Sequence, residues 1–191
     1  MTFSGGITHS STGALPNGST GYGKTFISPV TDLTVRDTHI SYYSRTNQSG
    51  AVAEIGSVEQ YDGDFNPSIQ LVLRYSDGNF YSDAYTNTSN RIAVANANSK
   101  GFYISTRTSI SNHRAFKDGV QMGSTDTTNE TENRLQSEII SIFAIQFGLT
   151  VNQFSSKECA FSSIGSGLTV SESLEFYNII QAFQTTLGRE V

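Results

Sequence analysis

The 191 residues contain no tryptophan, a single cysteine, two methionines and three prolines. With Cys159 alone, no intrachain disulfide can form and no cysteine-based zinc site exists. Its surroundings, ECAFSSI, suit a buried inert thiol better than a nucleophile. Charge is also scarce, at 15% of the chain against about 25% in an ordinary soluble domain. The formal net charge is -5 and Lys and Arg form no cluster, which removes the attraction on which nucleic-acid binding rests. No apolar run is long enough to span a bilayer, so membrane insertion is not expected. The start shows no basic-then-apolar leader, and the chain is expected to be exported without one or to ride on a larger particle. His9, His39 and His113 lie far apart without metal-ligand spacing, as ordinary strand or surface positions would.

Ser, Thr, Asn and Gly fill the polar positions instead, in short stretches where apolar and polar residues alternate. The length fits one domain, residues 1–191. In SIQLVLRY, Ile69, Leu71, Leu73 and Tyr75 fall on one face of a two-residue period, which predicts a half-buried strand. THISYYSRT (38–46) reads the same way, and SIQLVLRYSDGNFYSDAYT (68–86) as two strands around an Asp77-Gly78 turn. Asp118-Gly119 in AFKDGVQM predicts a two-residue hairpin, because both central positions of a type I′ turn need positive φ. EIISIFAIQF (138–147) is apolar on both faces and reads as a central strand, with a buried helix as the alternative that periodicity alone does not exclude. A helix is expected over about 169–187: Thr169 and Glu172 form a capping box, and Gly188 supplies the C-terminal cap. Val170, Leu174, Tyr177, Ile180, Phe183 and Leu187 make its apolar stripe, for docking on the strands or in an oligomer interface. The predicted fold class is all-β, an antiparallel jelly-roll β-sandwich with one C-terminal α-helix.

Gly18-x-x-x-x-Gly23-Lys24-Thr25 satisfies the phosphate-loop pattern letter for letter. No apolar strand precedes it, however, and Pro29 follows too soon for a helix to open at Lys24. The glycines are assigned to a tight turn leading into a strand, and no nucleotide site is expected. The acidic pairs Asp62/Asp64 and Glu130/Glu132 sit in turn-like sequence rather than on apolar strands, which argues against a glycosidase pair. In YDGDFNP, Asp62, Asp64 and Asn66 offer hard oxygen ligands for Ca²⁺. Tyr61 or Phe65 beside them offers a flat face for a sugar ring. A plain turn uses the same residues. NANS (96–99) is a weaker candidate of the same kind.

Taken together, the NG…GY turn, the strand HISYYSRT, the hairpin HRAFKDGVQMGS and the run from CAFSSIGSG through the helix resemble the concanavalin A-like lectin/glucanase superfamily. The likeness is to LamG-like jelly-roll domains of the kind found in bacteriophage virion proteins. The resemblance implies a non-catalytic structural and adhesion module of a phage head or tail fibre that binds host-surface glycan. The alternative is a carbohydrate-binding domain of a bacterial secreted or surface protein, with a glycoside hydrolase ranked last. The acidic cluster of the related glucanases has no match, so no enzymatic activity is expected. Tyr61, Asp62, Asp64 and Asn66 are the glycan-binding candidates, and Asp62, Asp64 and Asn66 the candidate ligands should Ca²⁺ be bound. No other cofactor is expected. The implied partners are other virion proteins, a cell-surface glycan and two further copies in a homotrimer, and the implied location is the virion.

Overall fold

A computed structural model describes residues 1–59, 67–86, 90–130 and 137–191. Four short strands come first, β1 (Thr2–Ser4), β2 (Ile7–His9), β3 (Ala14–Pro16) and β4 (Tyr22–Lys24), then one helical turn, α1 (Pro29–Asp32). They are followed by β5 (Thr38–Ser44), β6 (Ile55–Val58), β7 (Ser68–Val72), β8 (Asn79–Thr86) and β9 (Ile92–Ala95). The next strands are β10 (Gly101–Ser109), β11 (Asn112–Lys117) and β12 (Val120–Asp126). After them come β13 (Ser141–Ile142), β14 (Ile145–Phe147), β15 (Thr150–Asn152), β16 (Cys159–Gly165) and the long helix α2 (Val170–Thr186).

These strands form two sheets. One runs β1-β4-β13-β6-β7-β8-β9, with the β14–β15 hairpin attached at β6, and the other runs β12-β11-β10-β5-β16-β3-β2. Pairing is antiparallel throughout except for the short β14–β6 contact. The chain is therefore the antiparallel β-sandwich with one C-terminal helix that the sequence predicts.

Alternation decides which side chains face the sandwich interior. Ile69 and Leu71 of β7 turn inward with Phe80 of β8, Ile40 and Tyr42 of β5 and Tyr103 of β10, all essentially inaccessible to water. Burying each such side chain contributes about 1.5–3 kcal/mol. Tyr75, placed by the period on the same face as Leu73, instead joins Val72 and Tyr81 on the opposite surface, because the chain turns at Asp77-Gly78. The Asp118-Gly119 turn forms as expected, with φ of 50° and 77°, joining β11 to β12.

Two expectations are corrected. EIISIFAIQF is not one strand: Phe143, at φ 71°, breaks it into β13 and β14. That residue's N–H donates to the Glu54 carbonyl at 2.7 Å and its carbonyl accepts from Ser155 N–H at 2.7 Å, so the break is held by its own hydrogen bonds. The helix carries its capping box, Thr169 with Glu172, and Gly188 at φ 64° beyond its end, but its docked face is rotated from the predicted stripe. Of that stripe Ile180 is buried and Tyr177 packs beside it, but Val170, Leu174, Phe183 and Leu187 are about half exposed, while Ser173 and Gln184, off the stripe, are buried. Phe176 sets this rotation by packing edge-on against Phe102 and Phe161 at ring-centroid distances of 5.4 and 6.0 Å. Tyr43 Oη donates to Gln181 Oε1 at 2.8 Å and locks it.

The phosphate-loop match resolves into the expected turn and strand. Asn17 Oδ1 accepts from the N–H groups of Ser19, Thr20 and Gly21 at 2.9–3.0 Å, and Lys24 pairs in β4 with Thr2 and Ser141. Tyr22 packs edge-on against Phe154 with centroids 6.1 Å apart, and Lys24 is half-buried.

Candidate functional site

The same alternation that sends Ile69 and Leu71 inward turns Ser68, Gln70 and Val72 of β7 to the outer face of the first sheet. In register with them on β8, Asp83 stands opposite Gln70, and Tyr81 opposite Val72. The β14–β15 hairpin rises beside β6 and adds Ile145, Phe147 and Asn152 as a wall. The result is a groove of about 600 Å³ over β6, β7 and β8, floored by Val72 and Gln70 and flanked by Tyr75, Tyr81 and Arg91.

Its polar centre is one ion pair. Asp83 is fully buried, and Arg91 grips it with a two-pronged contact, Nε to Oδ1 at 3.0 Å and Nη2 to Oδ2 at 2.5 Å. Ser68 Oγ at 2.8 Å and Gln70 Nε2 at 2.5 Å donate to the same Oδ2, so both carboxylate oxygens are committed. Burial opposes the Arg91 charge, but the Asp83 carboxylate outweighs it and moves the guanidinium pKa upward. The guanidinium also lies over the Tyr81 ring, 4.7 Å from its centroid. Tyr81 Oη donates to Asp77, whose carboxyl is held below its usual pKa chiefly by that bond, and Tyr75 meets the Tyr81 ring edge-on at 5.9 Å. The two tyrosines are thus fixed before any ligand arrives.

Chemically, the groove offers flat aromatic surface, three amide side chains, a serine hydroxyl and a guanidinium. No carboxylate lines it among the described residues, so it presents no acid/base pair for bond cleavage. Rings stacking on Tyr75 and Tyr81 with hydroxyls reaching Gln70, Asn152 and Gln153 match a polyhydroxylated ligand.

The residues singled out by sequence fare differently. Tyr61, Asp62, Asp64 and Asn66 lie outside the described residues. NANS is a structural loop: Asn96 is buried, donates from Nδ2 to the Leu73 carbonyl and to Tyr103 Oη at 2.6 and 2.9 Å, and accepts from Lys117 Nζ. Glu130 is buried, while Glu132 lies outside the described residues. Among the described residues no cluster of three or more His, Cys, Asp or Glu could hold a metal ion. No helix of the described chain is long and apolar enough to cross a membrane. Sequence reasoning missed the groove residues Gln70, Tyr81, Asp83 and Arg91. The signal was there in the polar face of SIQLV and NFYSDAYT, opposite the apolar face that identified the strands.

No family model matches the sequence, and no curated protein matches it. Solved structures do. Domain 4 of a GH43 extracellular arabinanase from Geobacillus stearothermophilus, in complex with arabinotriose, superposes with a TM-score of 0.56 at 13% identity, covering 91% of this chain and 82% of that one. A receptor binding domain matches at TM-score 0.52 and 11% identity, over 94% of this chain and 46% of its own. Trypanosoma rangeli sialidase matches at TM-score 0.51 and 9% identity, over 90% of this chain and 28% of its own. The likeness is one of fold. At these identities it shows a shared β-sandwich fold and nothing finer.

Proposed function

We propose that the groove over β6, β7 and β8 binds the sugar rings of a cell-surface glycan without cleaving it and that the chain serves through this groove as an adhesion module. The observation that carries this reading is the fixed Tyr75–Tyr81 pair beside the Arg91–Asp83 ion pair, with amide groups around them and, among the described residues, no lining carboxylate. The solved domain in complex with arabinotriose supports it at the level of fold. The finer reading, a module of a bacteriophage virion assembled with other virion proteins as a homotrimer, is supported by the resemblance of HISYYSRT, HRAFKDGVQMGS and the closing helix to such modules. The hydroxyl-rich, weakly charged composition agrees with it.

A glycan array followed by calorimetry on the positive sugars tests the binding. Binding weakened roughly fivefold in Tyr81→Ala with little change in the melting curve is the expected result, and a wild-type chain that binds no glycan overturns the reading. Mass spectrometry of purified particles tests the location, and light scattering tests the trimer. The Asp62, Asp64 and Asn66 turn is kept as the proposed Ca²⁺ ligand set. Chelator should then lower both glycan affinity and melting temperature, with Ca²⁺ restoring them, and indifference to chelator removes the metal from the proposal.

A further inference from the structure

On the opposite side of the sandwich, the outer face of the β5–β16 pair carries three polar side chains beside the aromatic patch under α2. His39 stands opposite Gly165, and Ser41 opposite Ser163. His39 is nearly buried, with its Nδ1 2.5 Å from the Ser166 carbonyl and its Nε2 2.9 Å from Ser163 Oγ. A carbonyl oxygen can only accept, so Nδ1 carries the ring proton. In the neutral ring Nε2 is then an acceptor, and the Ser163 hydroxyl donates to it. Ser41 Oγ accepts from Ser163 N–H at 3.1 Å and lies 2.7 Å from Ser163 Oγ, to which its own hydroxyl donates. The chain of donors runs in one direction, Ser41 to Ser163 to His39 to the Ser166 carbonyl.

The supports of this chain are rigid. Gly167 N–H donates to Asp37 Oδ1 at 2.7 Å and Leu168 N–H to Thr106 Oγ1 at 2.7 Å, which fixes the segment bearing the Ser166 carbonyl. A side chain at Gly165 would sit 3.0 Å from His39 Cε1, so the missing Cβ leaves the ring its place. Phe176 packs edge-on against the imidazole at 5.7 Å. Ser163 itself is only partly buried. Next to the ring is a hollow of about 220 Å³ lined by His39, Leu168, Phe176 and Ile179, with Glu172 and Glu175 at its edge.

We propose that Ser163 is a nucleophile with His39 as its general base and the Ser166 carbonyl as the orienting group, acting on esters of short, uncharged acyl chains. Nucleophile, base and orienter within hydrogen-bond reach of one another are the arrangement by which a serine is activated. Ser163 does not itself line the hollow; His39, which does, joins the two, with its Nε2 2.9 Å from Ser163 Oγ. A hollow of this size admits an acyl chain of a few carbons, and the two glutamates disfavour an anionic one. Ser163 Oγ bonds to the ester carbonyl carbon as its proton passes to Nε2. The bond to the alcohol oxygen then breaks, and that oxygen leaves with the proton from His39. Water attacks the acyl-serine with His39 again as base, so that ester and water give acid and alcohol without oxidant or cofactor. The site is independent of the groove, and its failure leaves glycan binding untouched.

Treating the full chain with diisopropyl fluorophosphate tests the nucleophile, since attack by Ser163 Oγ forms an O–P bond and releases HF. The expected result is one adduct, mapped to Ser163, and slow hydrolysis of p-nitrophenyl acetate that Ser163→Ala abolishes. His39→Gln should slow labelling on the order of a hundredfold. Because that variant could fold poorly, the wild-type labelling rate is also followed against pH. Burial lowers the His39 pKa, against the opposing pull of the Ser166 carbonyl and the Asp37 charge, so the rate should rise through a midpoint below 6.5. The charged groups facing the ring are Asp37, Glu172 and Glu175. Absence of an adduct at Ser163, a rate insensitive to pH, or undiminished labelling in a folded His39→Gln chain overturns the proposal.

Discussion

Arg91 and Asp83 show how one residue can serve both the fold and the site. The carboxylate has no exposure and four donors around it, while the arginine side chain keeps 20% of its surface in water. Removing the arginine leaves a buried charge with only neutral donors. Arg91→Ala should therefore cost about 2–3 kcal/mol in urea denaturation, toward the lower end for breaking a buried pair because Arg91 is partly solvated. Arg91→Lys should recover only part of this, since an ammonium cannot reproduce the fork. Tyr81→Ala separates the two roles: it should weaken glycan binding by about 1 kcal/mol, roughly fivefold by calorimetry, with little effect on stability. Neither residue stands out in the sequence. Arg91 and Asp83 are eight positions apart, and only the β8–β9 pairing brings them together.

At the scale of elements, what the sequence made legible was local. Period-two alternation located β5, β7 and β8, Asp118-Gly119 located a hairpin, and Thr169 with Glu172 located the helix start, because each signal resides within a few neighbouring residues. The rotation of α2 was not legible, because it depends on where Phe102 and Phe161 present their rings, far away in the chain. The break at Phe143 was hidden for the same reason: its partners, Glu54 and Ser155, are not its neighbours in sequence. The groove and the Ser163–His39 contact likewise join strands distant in sequence, the latter across 124 positions. The rotated helix makes a contrast that thermal or chemical denaturation can read. Ile180→Ala, which empties a site packed under Tyr43, Phe102 and Phe116, should cost about 3 kcal/mol. Phe183→Ala, on the same predicted stripe as Ile180 but half exposed, should cost well under half of that. Equal losses would restore the stripe read from sequence.

For the molecule as a whole, the buried titratable groups set how stability follows pH. His113 is fully enclosed, its Nε2 3.0 Å from Ser82 Oγ and 3.1 Å from Ser105 Oγ, with Nδ1 3.8 Å from Asp126. Burial lowers its pKa, as it does that of His39. A histidine whose folded pKa lies below the unfolded value of about 6.5 binds its proton more readily when the chain unfolds, so its contribution to stability is present above pH 6.5 and is lost as pH falls. Each histidine can add a slope of up to about 1.4 kcal/mol per pH unit below that point. Glu138 acts in the opposite sense. Burial, with Glu59 beside it, raises its pKa to about 7, so it favours the folded state at acid pH and loses that effect as pH rises toward 7. It is only partly buried, and screening by solvent keeps its contribution the smaller one. The histidines therefore prevail, and the urea midpoint should fall as pH is lowered from 6.5 to 5. Glu138→Gln should leave that fall as steep or steeper, and His113→Gln, which keeps a neutral amide between Ser82 and Ser105, should flatten it. A midpoint that rises on acidification would mean that the Glu59–Glu138 pair, and not the enclosed imidazoles, dominates proton linkage in this fold.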